Sequence, residues 1–292
     1  MKNFYHLWTP DNHAIILTCE SDFKMAMNIF ALSAALSSDI VILTFELMDN
    51  HLHVSLHGTE KNNRDFFALY KKHLGKWLKS IGRATDLSGF ECKLRILETA
   101  QDIKNVISYT NRNGFLVSPD ETPFTYKWGA GRFFFNPDAR LRYEHEAVKM
   151  AMTQRRAILH SHNADKIEHL KMLDGYVCPL CFCDIIGAES YYRNASNYFY
   201  EISRNIESQK AIAQEIGERI MYSDDELFRI TVKLGSEQYG QSSPSLLSQS
   251  AKTELARKLH FEWGASKKQL CRILKMPIAV LDSMFQSPKY DI

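Results

Sequence analysis

Residues 39–58 read DIVILTFELMDNHLHVSLHG, the longest strand-like run in the chain. Side chains alternate faces along a strand, so Leu52, Val54 and Leu56 share one face and turn to a core, while His51 and His53 share the other. The run breaks at Met48-Asp49-Asn50, whose tightness predicts a hairpin joining strands over 40–47 and 51–57. Two imidazoles one residue apart on one face are half of a metal site; the same spacing also describes a half-buried strand with two solvent-facing histidines.

Upstream, HAIILT (13–18) reads as a first strand. Ser21 or Asp22 then caps a helix over 23–36, with Phe23, Ala26, Met27, Phe30 and Ala34 on one stripe. Downstream, Gly58-Thr59 ends the hairpin and a second helix runs over 62–81, its apolar positions Phe66, Leu69, Tyr70, Leu74, Trp77, Leu78 and Ile81 spaced by three and four. Lys71, Lys72, His73, Lys76, Lys79 and Arg83 form a basic side, either a solvated face or a surface for phosphates. FECKLRIL (90–97) is a fourth strand. Thr99, with Asp102 three residues on, opens a third helix to Arg112 or Asn113, with Gly114 placed to stop it. The order β-α-β-β-α-β-α predicts an α+β fold: a ferredoxin-like antiparallel sheet with helices on one face, over 1–137.

The stretch 115–136 holds Phe124, Tyr126, Trp128, Phe133, Phe134 and Phe135, and reads as a loop whose aromatics anchor it to the core or stack on unpaired bases. From residue 138 the composition predicts an all-α C-terminal region: a helical extension over 138–240, with helices near 142–161, 165–173, 188–206 and 208–221, then a Ser-rich break at 241–251. Residues 250–292 predict three helices with a helix-turn-helix rhythm: one ending at Gly264, one over 266–274 opened by a Ser266/Gln269 capping box, and a last one to Phe285 after Lys275-Met276-Pro277. Lys267, Lys268 and Arg272 favour phosphate contact; Asp282, Ser283 and Gln286 give the last helix few side chains that read bases.

Hydrophobic residues make up 45% of the 292 and charged residues 24%, the proportions of a soluble globular chain. A net charge of +2 decides nothing about nucleic acid, so local clusters must. No apolar run approaches the ~18 residues that span a bilayer. The start, MKNFYHLWTPDNHAIIL, lacks the parts of a signal peptide, and six cysteines are too few for a disulfide framework. A cytoplasmic setting is expected, with no membrane partner.

The third helix changes the weight of the histidine pair. Tyr109 and Asn113 lie four residues apart, on one helix face. A tyrosine hydroxyl and an amide oxygen facing His51 and His53 complete a site of three metal ligands and one oxygen nucleophile. That set suits phosphoryl transfer: a divalent cation on two imidazoles and an amide keeps open positions for a phosphate oxygen, and Tyr109 attacks the phosphorus.

At these residues the chain resembles a family. MDNHLHVSL (48–56) is similar to the His-hydrophobe-His motif of HUH single-strand nucleases as set in single-tyrosine transposases, the REP-associated and insertion-sequence types. ISYTNRNGFLVSPDETPF (107–124) resembles their Tyr-Ile-His-x-Asn-Pro…Gly-Leu-Val stretch, with Thr110 and Asn111 in place of Ile-His and Gly114 in place of proline. The resemblance covers roughly residues 1–135. It implies that Tyr109 forms a 5′-phosphotyrosine with single-stranded or hairpin DNA, that His51, His53 and Asn113 bind Mg²⁺ or Mn²⁺, and that the protein works as a homodimer, as many members do. With such a substrate, the basic residues Lys71, Lys72, Lys76, Lys79, Arg83, Arg112, Lys267, Lys268 and Arg272 are the candidate DNA contacts. The expected function is a transposase that cleaves and rejoins single strands near a hairpin. No Gly-x-x-x-x-Gly-Lys loop occurs, so no nucleotide cofactor is expected. Two alternatives stay open: a replication or mobilisation nuclease with the same motif, and a domesticated, non-catalytic DNA-binding regulator.

Cys178, Cys181 and Cys183 form a Cys-x-x-Cys knuckle without a second pair at finger spacing; they read as reduced, partly buried thiols in the helical region, or as half of a zinc site with His160, His162 and His169 as upstream candidates.

Overall fold

A computed structural model describes residues 1–11, 14–83, 85–116, 121–159, 167–204, 212–214 and 222–285. The chain divides into two units, Met1–Glu218 and Arg219–Ile292. The first is α+β and opens with β1 (Asn3–Trp8), α1 (Glu20–Leu36), β2 (Val41–Leu47), β3 (Leu52–Gly58), α2 (Glu60–Ser80), β4 (Lys93–Leu97) and α3 (Ala100–Leu116). The four strands form one antiparallel sheet in the order β2-β3-β1-β4.

The hairpin read from 39–58 is present. The first strand is not where the sequence pointed. NFYHLW forms it, pairing Leu7 with Val54 and Trp8 with His53. The run at 14–18 is no strand: the Ile16 and Leu17 N–H groups both donate to the Asp49 carbonyl at 2.8 Å, and both side chains are buried against the hairpin turn. An apolar run of that length suits a buried tether as well as a strand, because its periodicity cannot tell them apart.

Register decides what each face sees. Phe45, Val54 and Leu7 line one face, and Phe30 of α1 stacks on Phe45 at 4.2 Å with Phe66 and Tyr70 of α2 edge-on to Phe30. Burying each such side chain contributes about 1.5–3 kcal/mol. Thr44, Glu46, His53, Ser55 and His6 line the opposite face, where α3 lies. The helices therefore cover both faces, which corrects the expectation of helices on one face only.

Helix ends follow local chemistry. Thr59 caps α2 by accepting from the Asn62 N–H. Helix α1 starts at Glu20 with Cys19 as its N-cap; Asp22 instead accepts from the N–H and hydroxyl of Thr18 and from Arg83 at 2.8 Å, tying the helix start to the end of α2. Gly114 does not stop α3, which continues to Leu116. A Cβ there would lie 2.3 Å from the Tyr126 ring and 2.6 Å from a Glu46 oxygen, so this glycine serves close approach.

The edge of β2 is covered, as unpaired edges need to be. The Leu47 N–H donates to the Trp128 carbonyl at 2.8 Å, the Ala130 N–H to Phe45 at 3.0 Å, and the Asp184 N–H to Ile42 at 2.8 Å. The loop through 128–130 thus fulfils the anchoring reading for half of its six aromatics: Tyr126, Phe133 and Phe134 are buried, Trp128 and Phe135 are half-buried, and Phe124 is exposed.

Beyond it come a 3-10 turn (Gly131–Phe133), α4 (Pro137–Glu146), β5 (Val148–Lys149), α5 (Met152–Leu159), β6 (Lys171–Leu173), β7 (Tyr176–Val177), α6 (Ile185–Glu189) and α7 (Ala195–Arg204). Strands β5, β6 and β7 make a second, three-stranded antiparallel sheet, so this region is not all-helical. The helix expected over 142–161 is interrupted at β5, and that over 188–206 divides between α6 and α7. Most of 208–221 lies outside the described residues. Residues 138–204 are not a separate extension either: Leu159, Leu170 and Val177 share one apolar cluster with Ala31 and Leu32 of α1.

The second unit contains α8 (Asp224–Tyr239), α9 (Gln249–Trp263), α10 (Lys267–Leu274) and α11 (Ile278–Met284). Gly264 ends α9 at φ 63°, the Ser266/Gln269 capping box opens α10, and Lys275 turns the chain at φ 54° before α11. Here the expected three-helix segment is matched closely, with α8 packed beside it.

Candidate active site

The site is built on β3 and α3. His53 is wholly buried, with its ring 5.2 Å from that of His51 and 5.4 Å from that of Tyr109, edge to face in both cases. His51 stands just before β3, half-buried, its Nδ1 2.7 Å from the Asn50 side-chain oxygen. Asn113 is buried one turn beyond Tyr109 on α3. The expected nucleophile and histidine pair are thus brought together.

Helix α3 is fixed in rotation by polar contacts on two sides. The Thr44 hydroxyl of β2 donates to the Asn111 side-chain oxygen at 2.5 Å, and the Asn111 amide donates to the Tyr198 hydroxyl of α7 at 3.0 Å. Ser108 and Tyr192 share a hydrogen bond at 2.8 Å, and Lys104 pairs with Glu201 at 2.5 Å. The face carrying Tyr109 is thereby held against the sheet. Tyr109 is only 4% exposed, and of Tyr109, His53 and His51 the last is the most accessible.

Two groups here escaped the sequence reading. His6 of β1 faces His53, Nε2 to Nδ1 at 3.2 Å, with its ring 6.2 Å from that of Tyr109. The alternation Tyr5-His6-Leu7-Trp8 was the available signal. Glu46 is the cross-strand partner of His53 and is buried, and its Oε2 has no hydrogen-bond partner. Burial drives its carboxyl well above the usual carboxylate range, and the Gly131 N–H offsets this only in part. Gly114, Gly129 and Gly131 surround that carboxyl so closely that a Cβ on any of them would come within 2.7 Å of it. The clue was one carboxylate in the apolar run ILTFEL.

No family model, curated protein or solved structure matches the chain.

The side chains that would hold a divalent ion are mixed in kind: two imidazoles, which suit borderline ions, and the buried Asn113 amide, an oxygen donor that suits harder ones such as Mg²⁺ or Mn²⁺, while burial favours the neutral form of the Glu46 carboxyl. Among the described residues no three His, Cys, Asp or Glu side chains are grouped to hold a metal. The same holds for the cysteine knuckle. Cys181 accepts from the Lys171 N–H at 3.2 Å, burial pushes the Cys178 thiol up to about 12, and His160 and His162 lie outside the described residues.

The proposed DNA contacts separate into groups. Lys72, Lys76, Lys79 and Lys268 are exposed. Lys71 is paired with Glu91, Lys267 with Asp282 at 2.8 Å, and Arg272 with both oxygens of Asp224 at 2.5 and 3.0 Å. Arg83 is held by Asp22, Thr18 and the Ile16 carbonyl. Arg112 is buried and donates to the Ile202 carbonyl at 2.8 Å, which corrects its reading as a surface contact. The lysines of α2 lie across the sheet from Tyr109, because α2 packs on the Phe45 face. No helix of the described residues is long and apolar enough to cross a membrane.

Proposed function

We propose that the chain is a metal-dependent DNA strand transferase of the single-tyrosine HUH type, with Tyr109 as nucleophile and His51, His53 and Asn113 as ligands of Mg²⁺ or Mn²⁺. The observation that carries this reading is the Tyr109 ring held 5.4 Å from His53, itself 5.2 Å from His51. The element order β-α-β-β-α-β with strand order β2-β3-β1-β4 supports the ferredoxin-like frame that the reading expects.

In the reaction the Tyr109 phenol oxygen attacks a backbone phosphorus of single-stranded DNA and the bond to the 3′-oxygen breaks. The phenol gives up one proton and the departing 3′-oxygen takes one up, so charge and atoms balance. The 5′-phosphate remains esterified to Tyr109, and attack by a 3′-hydroxyl of a second strand reverses the step. A bound divalent ion would withdraw charge from the phosphorus. The chain's own contribution is orientation: Thr44, Asn111 and Tyr198 fix the rotation of α3, and His6 fixes the ring of His53.

The burial of Tyr109 and His53 favours a second reading, a non-catalytic DNA-binding regulator acting through α10 and α11. Incubation with hairpin-bearing single strands and Mn²⁺, followed by denaturing electrophoresis, separates the two. A covalent adduct lost in His51→Ala and His53→Ala supports the transferase. Retarded DNA on a native gel with no adduct on the denaturing gel supports the regulator.

A further inference from the structure

A second site lies where the aromatic loop meets α4. A cavity of about 430 Å³ is walled by Phe124, Phe135 and Leu173 and edged by Arg132, Arg142 and Asp138. That volume suits one small heterocyclic group. Phe124 keeps 45% of its surface exposed although its ring lies 5.1 Å from Phe199. Phe135 sits at φ 49°, a conformation bulky side chains avoid, and it is held there because its N–H donates to Glu189, which also pairs with Arg140.

The polar groups say what kind of guest fits. Arg132 is nine-tenths buried; one of its N–H groups donates to Asp174 at 2.9 Å, while its Nε is buried with no hydrogen-bond partner. Asp138 is exposed and offers only acceptors. Arg142 is shared between Glu146 and Asp174. Asp138, Asp174 and Glu146 outnumber the two guanidiniums, so a phosphate is disfavoured. A flat ring that accepts from a guanidinium at one edge and donates to a carboxylate at another is favoured. Adenine and guanine do both, through N7 and an amino group.

We propose that this cleft takes one unpaired purine base of single-stranded DNA, stacked on Phe124 and Phe135. The proposal rests on the reading of the chain as a single-strand DNA protein and adds where a base is held. The 3-10 turn bearing Arg132 packs on α3 beside Asn111, so the cleft and Tyr109 share one piece of the framework.

The test uses the full chain as Tyr109→Phe, to prevent cleavage, and a short single strand carrying one 2-aminopurine. Stacking should quench the 2-aminopurine. Phe124→Ala should remove most of the quenching and weaken binding roughly tenfold, the range expected for one lost base stack, and Asp138→Asn should weaken it too. Both side chains are surface-exposed, and unchanged circular dichroism would show that the fold is kept. Quenching that is the same in all three proteins, or a bound strand whose 2-aminopurine stays bright, overturns the cleft. So does a strand that does not bind at all. The covalent-adduct assay of the unsubstituted protein reports on the transferase separately: adduct with no effect of Phe124→Ala sinks only the cleft, and Phe124-dependent quenching with no adduct sinks only the transferase.

Discussion

The imidazoles of His6 and His53 meet at 3.2 Å, Nε2 to Nδ1, across adjacent strands, and both rings are closed off from solvent. A ring nitrogen engaged in this way fixes which nitrogen a metal can take, so an ion held by His53 must take Nε2. Replacing His6 by Phe should lower Mn²⁺ affinity about 10- to 100-fold, the usual effect of losing such a partner. His6→Gln, which keeps a hydrogen-bonding group, should retain more of it. Calorimetric titration with Mn²⁺ checks this, and equal affinity in His6→Phe would remove His6 from the site.

Glu46 links stability to pH. Its carboxyl is raised by burial in the folded chain, so the folded state binds a proton that the unfolded state releases above its ordinary value of 4.5. Stability from this group is complete below that value and declines as pH rises toward the folded value. Glu46→Gln should therefore raise the melting temperature at pH 8, with a smaller difference at pH 5. Thermal unfolding at the two pH values reads the sign; a larger gain at pH 5 contradicts it.

Gly114 is a steric requirement. Gly114→Ala drives a methyl group into Tyr126 and Glu46 and should cost about 1–3 kcal/mol, as overpacking does. Gly82, at φ 77° on an open turn, has nothing within 4 Å of its would-be Cβ. Its replacement by Ala should cost less, about 1 kcal/mol, from backbone strain alone. Urea midpoints rank the two, and the reverse ranking would deny the close packing of α3 on β2.

The basic groups of α10 should divide in the same way as their partners. Lys268, exposed, should lower the salt dependence of DNA binding by about one counterion when changed to Ala. Arg272→Ala should instead act on the fold, because Arg272 joins α10 to α8 through Asp224. Affinity measured across a salt series, alongside thermal melts, separates the two outcomes.

Much of the fold is legible in the sequence. The hairpin at 41–58, the amphipathic α2 and the capped helices of 249–284 each carry a periodic or capping signal that local physics enforces. The proximity of Tyr109 to His53 also followed from element order. What failed were decisions made by tertiary contact. HAIILT has strand composition, yet the N-terminal NFYHLW took the place beside β3, where His6 and Trp8 could be buried beside His53. Gly114 carries the signature of a helix stop, yet packing against Tyr126 uses it inside α3. Strands β5, β6 and β7 are two or three residues long, too short for any alternation to register. The side of the sheet that α3 occupies has no local signal, and neither does the burial of Arg112.

The central claim is that Tyr109 is the nucleophile, and mass spectrometry of the protein after reaction with hairpin-bearing single-stranded DNA and Mn²⁺ tests it most directly. Nuclease and protease digestion should leave a nucleotide remnant on the peptide containing Tyr109, absent from Tyr109→Phe and from reactions without divalent metal. A remnant on another tyrosine, or cleaved DNA with no remnant on any residue, would contradict it.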